Sequence, residues 1–141
     1  MRTSTKSLLT ILHVGIAGAV GIAGVQAQVL TMAGEDHIAL KSNESQEVSE
    51  IFYQVNCTSL LKSPPRVEIV EGPPGVTAEL KEAMVLPRFQ KCAAPIKGAK
   101  LILSVKAVED PSFSQLTLRI VYDTRDGERK LSHSYNLSLF P

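Results

Sequence analysis

Few residues of this chain could carry out acid–base chemistry. His133 is the first candidate, and its role depends on which face of its strand it occupies. It lies between Leu131 and Tyr135 near the C-terminus. Residues two apart on a strand share a face, so His133 lies with these apolar neighbours while Ser132 and Ser134 point the other way. The spacing predicts a hydrogen-bonded histidine in the core or at its rim, and not a catalytic group.

His37 follows Asp36, a pairing that can orient an imidazole for proton transfer. Adjacent residues on a strand, however, point to opposite faces. The sequence has no Gly-x-Ser-x-Gly elbow, no His-Glu-x-x-His and no Cys-x-x-Cys, which are the patterns that mark a nucleophile or a metal site. We therefore predict no catalytic, metal-binding or cofactor-binding residue.

The stretch from Asp123 to Glu128 contains three carboxylates and a glycine, a composition that suggests a calcium-binding loop. An EF-hand loop needs oxygen ligands at positions one, three and five and glycine at position six. Here Arg125 occupies position three and Gly127 position five. The stretch is predicted to be the charged tip of a hairpin.

Cys57 and Cys92 are the only two cysteines of the chain. Two distant thiols supply too few ligands for a zinc site, whereas two cysteines in an exported chain most simply pair. We predict a Cys57–Cys92 disulfide. It would constrain the unfolded chain by about 3 to 4 kcal/mol on the loop-entropy estimate.

Residues 1–27 have the composition of a secretory signal peptide. A basic start precedes an apolar run that reaches Val25, and small residues precede a cut after Ala27. Cleavage would leave one domain, residues 28–141, in the periplasm or secreted. An uncleaved anchor is the alternative, because the run is near the roughly 18 residues of a spanning segment.

Charge and aromatic content restrict the classes of partner. The 15 basic and 14 acidic residues nearly balance, so no long-range field attracts polyanions or anionic lipid. Aromatic residues make up 5% of the chain, too few to favour base stacking. We expect neither nucleic acid nor, after signal cleavage, the membrane as a partner.

The clearest structural signal is a hairpin at Asp126-Gly127, a preferred pair for a two-residue type I′ turn. That turn would place Ile120 opposite His133 and Asp123 opposite Lys130, with the apolar residues of both strands on one face. A four-residue loop would give the same pairing. We therefore expect the chain to end in two long paired strands.

Alternating apolar residues between turn signals predict the other strands. They are centred on His37 to Lys41, Ile51 to Cys57, Val67 to Ile69, Val76 to Leu80, and Lys100 to Ala107. Cys57 is expected to end its strand on the inward face, and the stretch EDPSFSQ to break the chain before Leu116. Residues 77–86 are predicted as a strand, with a short helix between Thr77 and Pro87 as the alternative.

About seven short strands with no long helical period predict an all-β domain. An antiparallel immunoglobulin-like sandwich is favoured, with a small β-barrel as the alternative. The chain has no Trp, and Cys92 precedes the last three predicted strands, so the disulfide would differ from that of antibody domains.

A non-enzymatic binding or structural module, acting through protein–protein contacts in the cell envelope, is the predicted function. If the last strand lies at a sheet edge, its unpaired backbone could accept a strand from an unidentified protein. The candidate residues form its polar row: Ser132, Ser134, Asn136 and Ser138. The alternative is a small envelope hydrolase or metal protein built from His37, His133 and carboxylates distant in sequence.

Overall fold

The structure, a computed structural model, describes residues 30–34, 36–88 and 91–141, with the backbone alone described for 30–34. The predicted signal peptide, residues 1–27, lies outside the described residues. Within the described ranges the chain forms nine β-strands and no α-helix. None of these residues belongs to a helix long and apolar enough to cross a membrane.

The strands alternate with short turns along the chain. In order they are β1 (Leu30–Gly34), β2 (His37–Lys41), β3 (Ser45–Val55), β4 (Thr58–Ser59), β5 (Arg66–Glu71), β6 (Val76–Val85), β7 (Ile96–Val105), β8 (Ser112–Thr124) and β9 (Gly127–Phe140).

Two sheets are formed from these strands. One has the order β1-β3-β7-β6, with β4 paired to β3, and the other has the order β2-β9-β8-β5. All described pairs are antiparallel except β2 with β9, which run parallel. The all-β prediction is confirmed, and the two-sheet arrangement is consistent with a sandwich or a small barrel.

The core lies between the two sheets, because alternate residues of each strand point inward. Leu101 and Leu103 of β7 and Leu116 and Leu118 of β8 are fully buried in one apolar cluster. Burial of such a side chain contributes about 1.5 to 3 kcal/mol relative to exposure. The cluster joins the two sheets into one packed unit.

The β8–β9 hairpin forms, but with a different register from the one predicted. Ile120 lies opposite Leu131 and Asp123 opposite Glu128, so each partner is displaced by two residues. Thr124 pairs with Gly127, and Gly127 has a φ of 107° whereas Asp126 does not have a positive φ. The predicted type I′ turn over Asp126-Gly127 is therefore wrong, although each side chain keeps its predicted face.

Thr124 explains why the loop shifts by one residue. Its hydroxyl donates to the carbonyl of Gly127 at 2.6 Å, and its oxygen accepts from the backbone N–H of Asp126 at 3.3 Å. These bonds close a loop of Arg125 and Asp126. Glycine then occupies the position after the loop, where positive φ is required.

Other predicted strands are confirmed or extended. Residues 77–86 fall largely in β6, so the strand prediction is confirmed over the helix. His37–Lys41 forms β2 as predicted, preceded by the additional β1. The expected break before Leu116 is wrong, since β8 begins at Ser112 and pairs with the last residues of β9.

Cys57 and Cys92 form the predicted disulfide. Cys57 does not end a strand facing inward, which corrects the prediction: Asn56 and Cys57, with φ of 50° and 61°, form the loop between β3 and β4. Asparagine tolerates this left-handed conformation better than most residues. The backbone N–H of Cys57 donates to the side-chain oxygen of buried Gln54 at 2.8 Å.

A second apolar cluster, composed of Phe52, Val85 and Ile96, is separate from the main core. Gly98 lies against it, because a Cβ there would approach the Val85 side chain to 2.8 Å and would overlap the carbonyl oxygen of Ile51. Close approach of two backbones thus requires glycine at this position.

Candidate functional site

His133 lies on the inward row of β9, opposite Leu118. Its side chain is half-buried, and its Nε2 atom is buried without a hydrogen-bond partner among the described residues. The predicted position at the core is confirmed, whereas the predicted hydrogen bond is not found at Nε2. Burial lowers the pKa of this imidazole below its ordinary value, because the apolar surroundings disfavour the charged form.

His37 makes a contact that the sequence did not predict. Its Nε2 atom lies 3.1 Å from the hydroxyl oxygen of Ser138. His37 is exposed, but Ser138 is only 3% exposed. A serine nucleophile needs both a base and access to substrate, and the burial of this hydroxyl favours a structural bond between β2 and β9.

A groove of about 420 Å³ opens beside His37, between β2 and the first residues of β3. Its lining is His37, Ile38, Ala39, Gln46, Glu47 and Val48. Glu47 pairs with Lys100 at 3.1 Å, and among the described residues neither His133 nor Ser138 belongs to the lining. The clustering that the hydrolase alternative requires is not present in this groove.

The charged hairpin tip makes contacts with neighbouring strands and loops. Asp123 accepts a hydrogen bond from the Ser63 hydroxyl at 2.7 Å, and Glu128 pairs with Arg66 and Lys130 at 3.4 and 3.7 Å. No group of three or more His, Cys, Asp or Glu residues in the described ranges could hold a metal ion.

The edge of β9 is the feature that best matches the predicted site. The whole of β8 pairs with one side of β9, from Gly127 to Leu139. β2 covers the other side only from Asn136 to Phe140. In the part of the chain that the structure describes, the backbone of residues 128–134 therefore has one side without a paired strand.

The direction of the backbone groups follows from the β2 pairing. Asn136 donates its N–H to Asp36 at 2.8 Å, and Phe140 accepts from Ser42 at 2.7 Å. Even-numbered residues of β9 thus direct both backbone groups away from β8, because the direction alternates along a strand. Ser132 and Ser134 consequently present N–H and C=O groups at the open side.

The four predicted site residues separate into two groups. Ser132, Ser134 and Asn136 are exposed, in agreement with a polar outer row. Ser138 is buried beneath its contact with His37, so its expected place on an exposed row is wrong. β2 also pairs beside Asn136 and Ser138, which leaves Ser132 and Ser134 as the accessible pair.

Two other edge strands, β6 and β5, carry features that discourage strand pairing. β6 has Glu79, Lys81 and Glu82 on its ten residues, and β5 is bulged between Ile69 and Glu71. Charged side chains and bulges both protect edges. The stretch 131–135 of β9 has neither a charged residue nor a bulge.

The free edge of β2 is short and partly blocked. Lys41 donates its N–H to the Glu44 carboxylate at 2.6 Å, and its carbonyl accepts from the Glu44 backbone at 3.0 Å. Only His37 and Ala39 then keep backbone groups directed outward. The stretch from Leu131 to Tyr135 of β9, which is regular and has no charged side chain, is the better acceptor.

Comparison with known proteins does not assign this chain to a family. No family model, curated protein or solved structure matches it.

Proposed function

We propose that the protein is an exported, non-enzymatic interaction module that accepts an extended polypeptide strand at the open side of β9. The unpaired backbone groups of Ser132 and Ser134 carry this proposal. Strand addition at an exposed edge supplies main-chain hydrogen bonds, and alternate side chains supply specificity. The expected partner is a protein segment in the cell envelope or outside the cell.

The domain is best described as an immunoglobulin-like sandwich. Sheet orders of β1-β3-β7-β6 and β2-β9-β8-β5 correspond to the two sheets of that architecture, if β1 and β2 are two halves of its first strand. The cysteines lie outside the positions used by antibody domains, since Cys57 follows β3 and Cys92 precedes β7. The disulfide supports an oxidising location and agrees with a signal peptide over residues 1–27.

Partner chemistry follows from the two rows of β9. Leu131 and His133 lie on the inward row, and Ser132 and Ser134 on the outward row. An added strand places its side chains in the same alternation. An extended segment with an apolar residue opposite Leu131 and polar residues opposite Ser132 and Ser134 is the expected ligand.

Photo-crosslinking combined with a proline substitution tests the proposal. A photo-reactive amino acid in place of Ser132 should crosslink to an extended segment of the partner in cells. Ser134→Pro removes one outward N–H while leaving the β8 bonds in place, so it should abolish the crosslink. Ser134→Ala keeps the N–H and should crosslink like the parent.

Amide hydrogen exchange supplies the direct readout. The N–H groups of Ser132 and Ser134 should exchange fast in dilute, monomeric protein and slowly once a partner strand is bound, with the N–H of His133, bonded to β8, as the internal reference. Crosslinks that persist in a folded Ser134→Pro variant, together with no protection of the Ser132 and Ser134 amides in the parent protein, would refute strand addition.

A further inference from the structure

The open side of β9 is self-complementary, and we propose that a second copy of this chain pairs with it antiparallel about a two-fold axis at Leu131. This inference rests on the strand-accepting edge proposed above and names its partner. A two-fold interface requires that residue i of one copy meets residue j of the other, and j meets i.

Leu131 lies at the middle of the open stretch. The residues whose backbone groups point outward are Glu128, Lys130, Ser132 and Ser134, and they are arranged evenly about it. Antiparallel pairing centred there joins Glu128 to Ser134 and Lys130 to Ser132 of the second copy. The whole open stretch is used, with about eight backbone hydrogen bonds across the axis.

Side chains on the inward row also match in this register. Leu131 meets Leu131 of the second copy in a pair without backbone hydrogen bonds, where side chains approach closest. Leu131 is 37% exposed, whereas Leu137 and Leu139 farther along the same row are buried, so its side chain is accessible to a second copy. Arg129 would lie opposite His133, whose pKa is lowered by burial, and a lowered pKa favours the uncharged imidazole over a second positive charge.

Neighbouring registers are less favourable for physical reasons. A centre at Arg129 or Lys130 places a cationic side chain directly opposite its own copy, and like charges in this position are destabilising. A centre at Ser132 or His133 brings the second strand against Asn136, whose outward N–H is already bonded to Asp36. Leu131 is the centre that avoids both problems.

The dimer is expected to be weak. One added strand on each side buries less than the roughly 1,200 Å² of a stable standard interface. Association should therefore increase with protein concentration. The neighbouring charged side chains are Glu128, Arg129 and Lys130. They make the stability of the dimer depend on the pairing register more than on the buried apolar area.

Sedimentation velocity of the purified protein tests the inference. We expect a concentration-dependent shift from monomer to dimer, lost in Leu131→Lys and in Leu131→Glu because each places like charges on the axis. An equimolar mixture of the two variants should restore the dimer, since opposite charges then meet. Ser134→Ala should associate like the parent, and Ser134→Pro should not.

Two results would overturn the inference. One is a monomer at all concentrations, and the other is a dimer that persists in both single-charge variants or is not restored by mixing them. A monomer that still gives proline-sensitive crosslinks to a different protein would overturn self-pairing alone and leave the strand-accepting function in place. Absence of both the dimer and the proline-sensitive crosslinks would reject both proposals. Circular dichroism and urea unfolding establish that each variant is folded.

Discussion

The imidazole Nε2 of His37 and the hydroxyl of Ser138 lie 3.1 Å apart, although 101 positions separate them in the sequence. The contact joins β2 to β9 along the parallel pair that covers β9 from Asn136 to Phe140. It therefore lies immediately beside the point where the open side begins.

Removal of this bond should weaken the attachment of β2. Ser138→Ala is expected to lower the free energy of unfolding by about 0.5 to 1.5 kcal/mol, the usual net worth of one hydrogen bond. His37→Ala should cost a similar amount, and the double variant less than the sum, as measured by urea unfolding. Ser132→Ala, at an exposed position of the same strand, is the control. Strictly additive losses would contradict a direct bond.

Stability should depend on pH through His133. Burial lowers the pKa of its imidazole below the ordinary 6.5, so the unfolded state takes up a proton first as the pH falls. The neutral imidazole contributes fully to the free energy of unfolding above about pH 6.5. This contribution is lost as the pH falls toward the pKa of His133 in the folded state. Urea unfolding from about pH 7.5 to 5.5 should show this slope.

His133→Gln provides the comparison for the pH experiment, because it cannot titrate in this range. The slope below pH 6.5 should be smaller in the variant, and the NMR titration of the His133 ring in the parent should give a midpoint under 6.5. A midpoint at or above that value would contradict burial as the controlling effect.

The disulfide should be a major source of stability. Replacing Cys57 and Cys92 together by serine is expected to lower the free energy of unfolding by about 2 to 5 kcal/mol, as for other small domains. Peptide mapping without reductant should recover the two cysteines in one linked fragment. Recovery of two free thiols from freshly isolated protein would show that the bond is not formed.

Gly98→Ala should be destabilising because the added Cβ has no space. It would overlap the Ile51 carbonyl, which is backbone and cannot rotate away, and overpacking of this kind costs about 1 to 3 kcal/mol. Gly72→Ala is the matched control, since its Cβ would meet only the tip of the Leu116 side chain at 2.7 Å. Equal unfolding midpoints for the two variants would refute the argument.

Local sequence patterns were sufficient for much of the fold. Alternation of apolar residues predicted the inward rows of β7, β8 and β9, because a strand repeats every two residues whatever it pairs with. The bounds of β2 and the disulfide were also predicted. At residues 77–86 the same alternation correctly favoured a strand over a helix.

The register of the β8–β9 hairpin could not be read in the same way. Moving the loop by one residue shifts every partner by two, which keeps all side chains on their faces. The apolar pattern is thus equally satisfied by both arrangements. Bonds from Thr124 to Asp126 and Gly127 are what distinguish them.

The sequence by itself determined that this chain forms strands, which apolar side chains of β7, β8 and β9 face inward, and which cysteines pair. Only the tertiary structure decided that β2 lies parallel to the end of β9 and that Ser138 is buried against His37. It also decided that, among the described residues, 128–134 have one side without a paired strand. The physical reason is that a strand's faces follow from its own two-residue repeat, whereas its neighbours depend on segments about a hundred residues away that the packed core brings together.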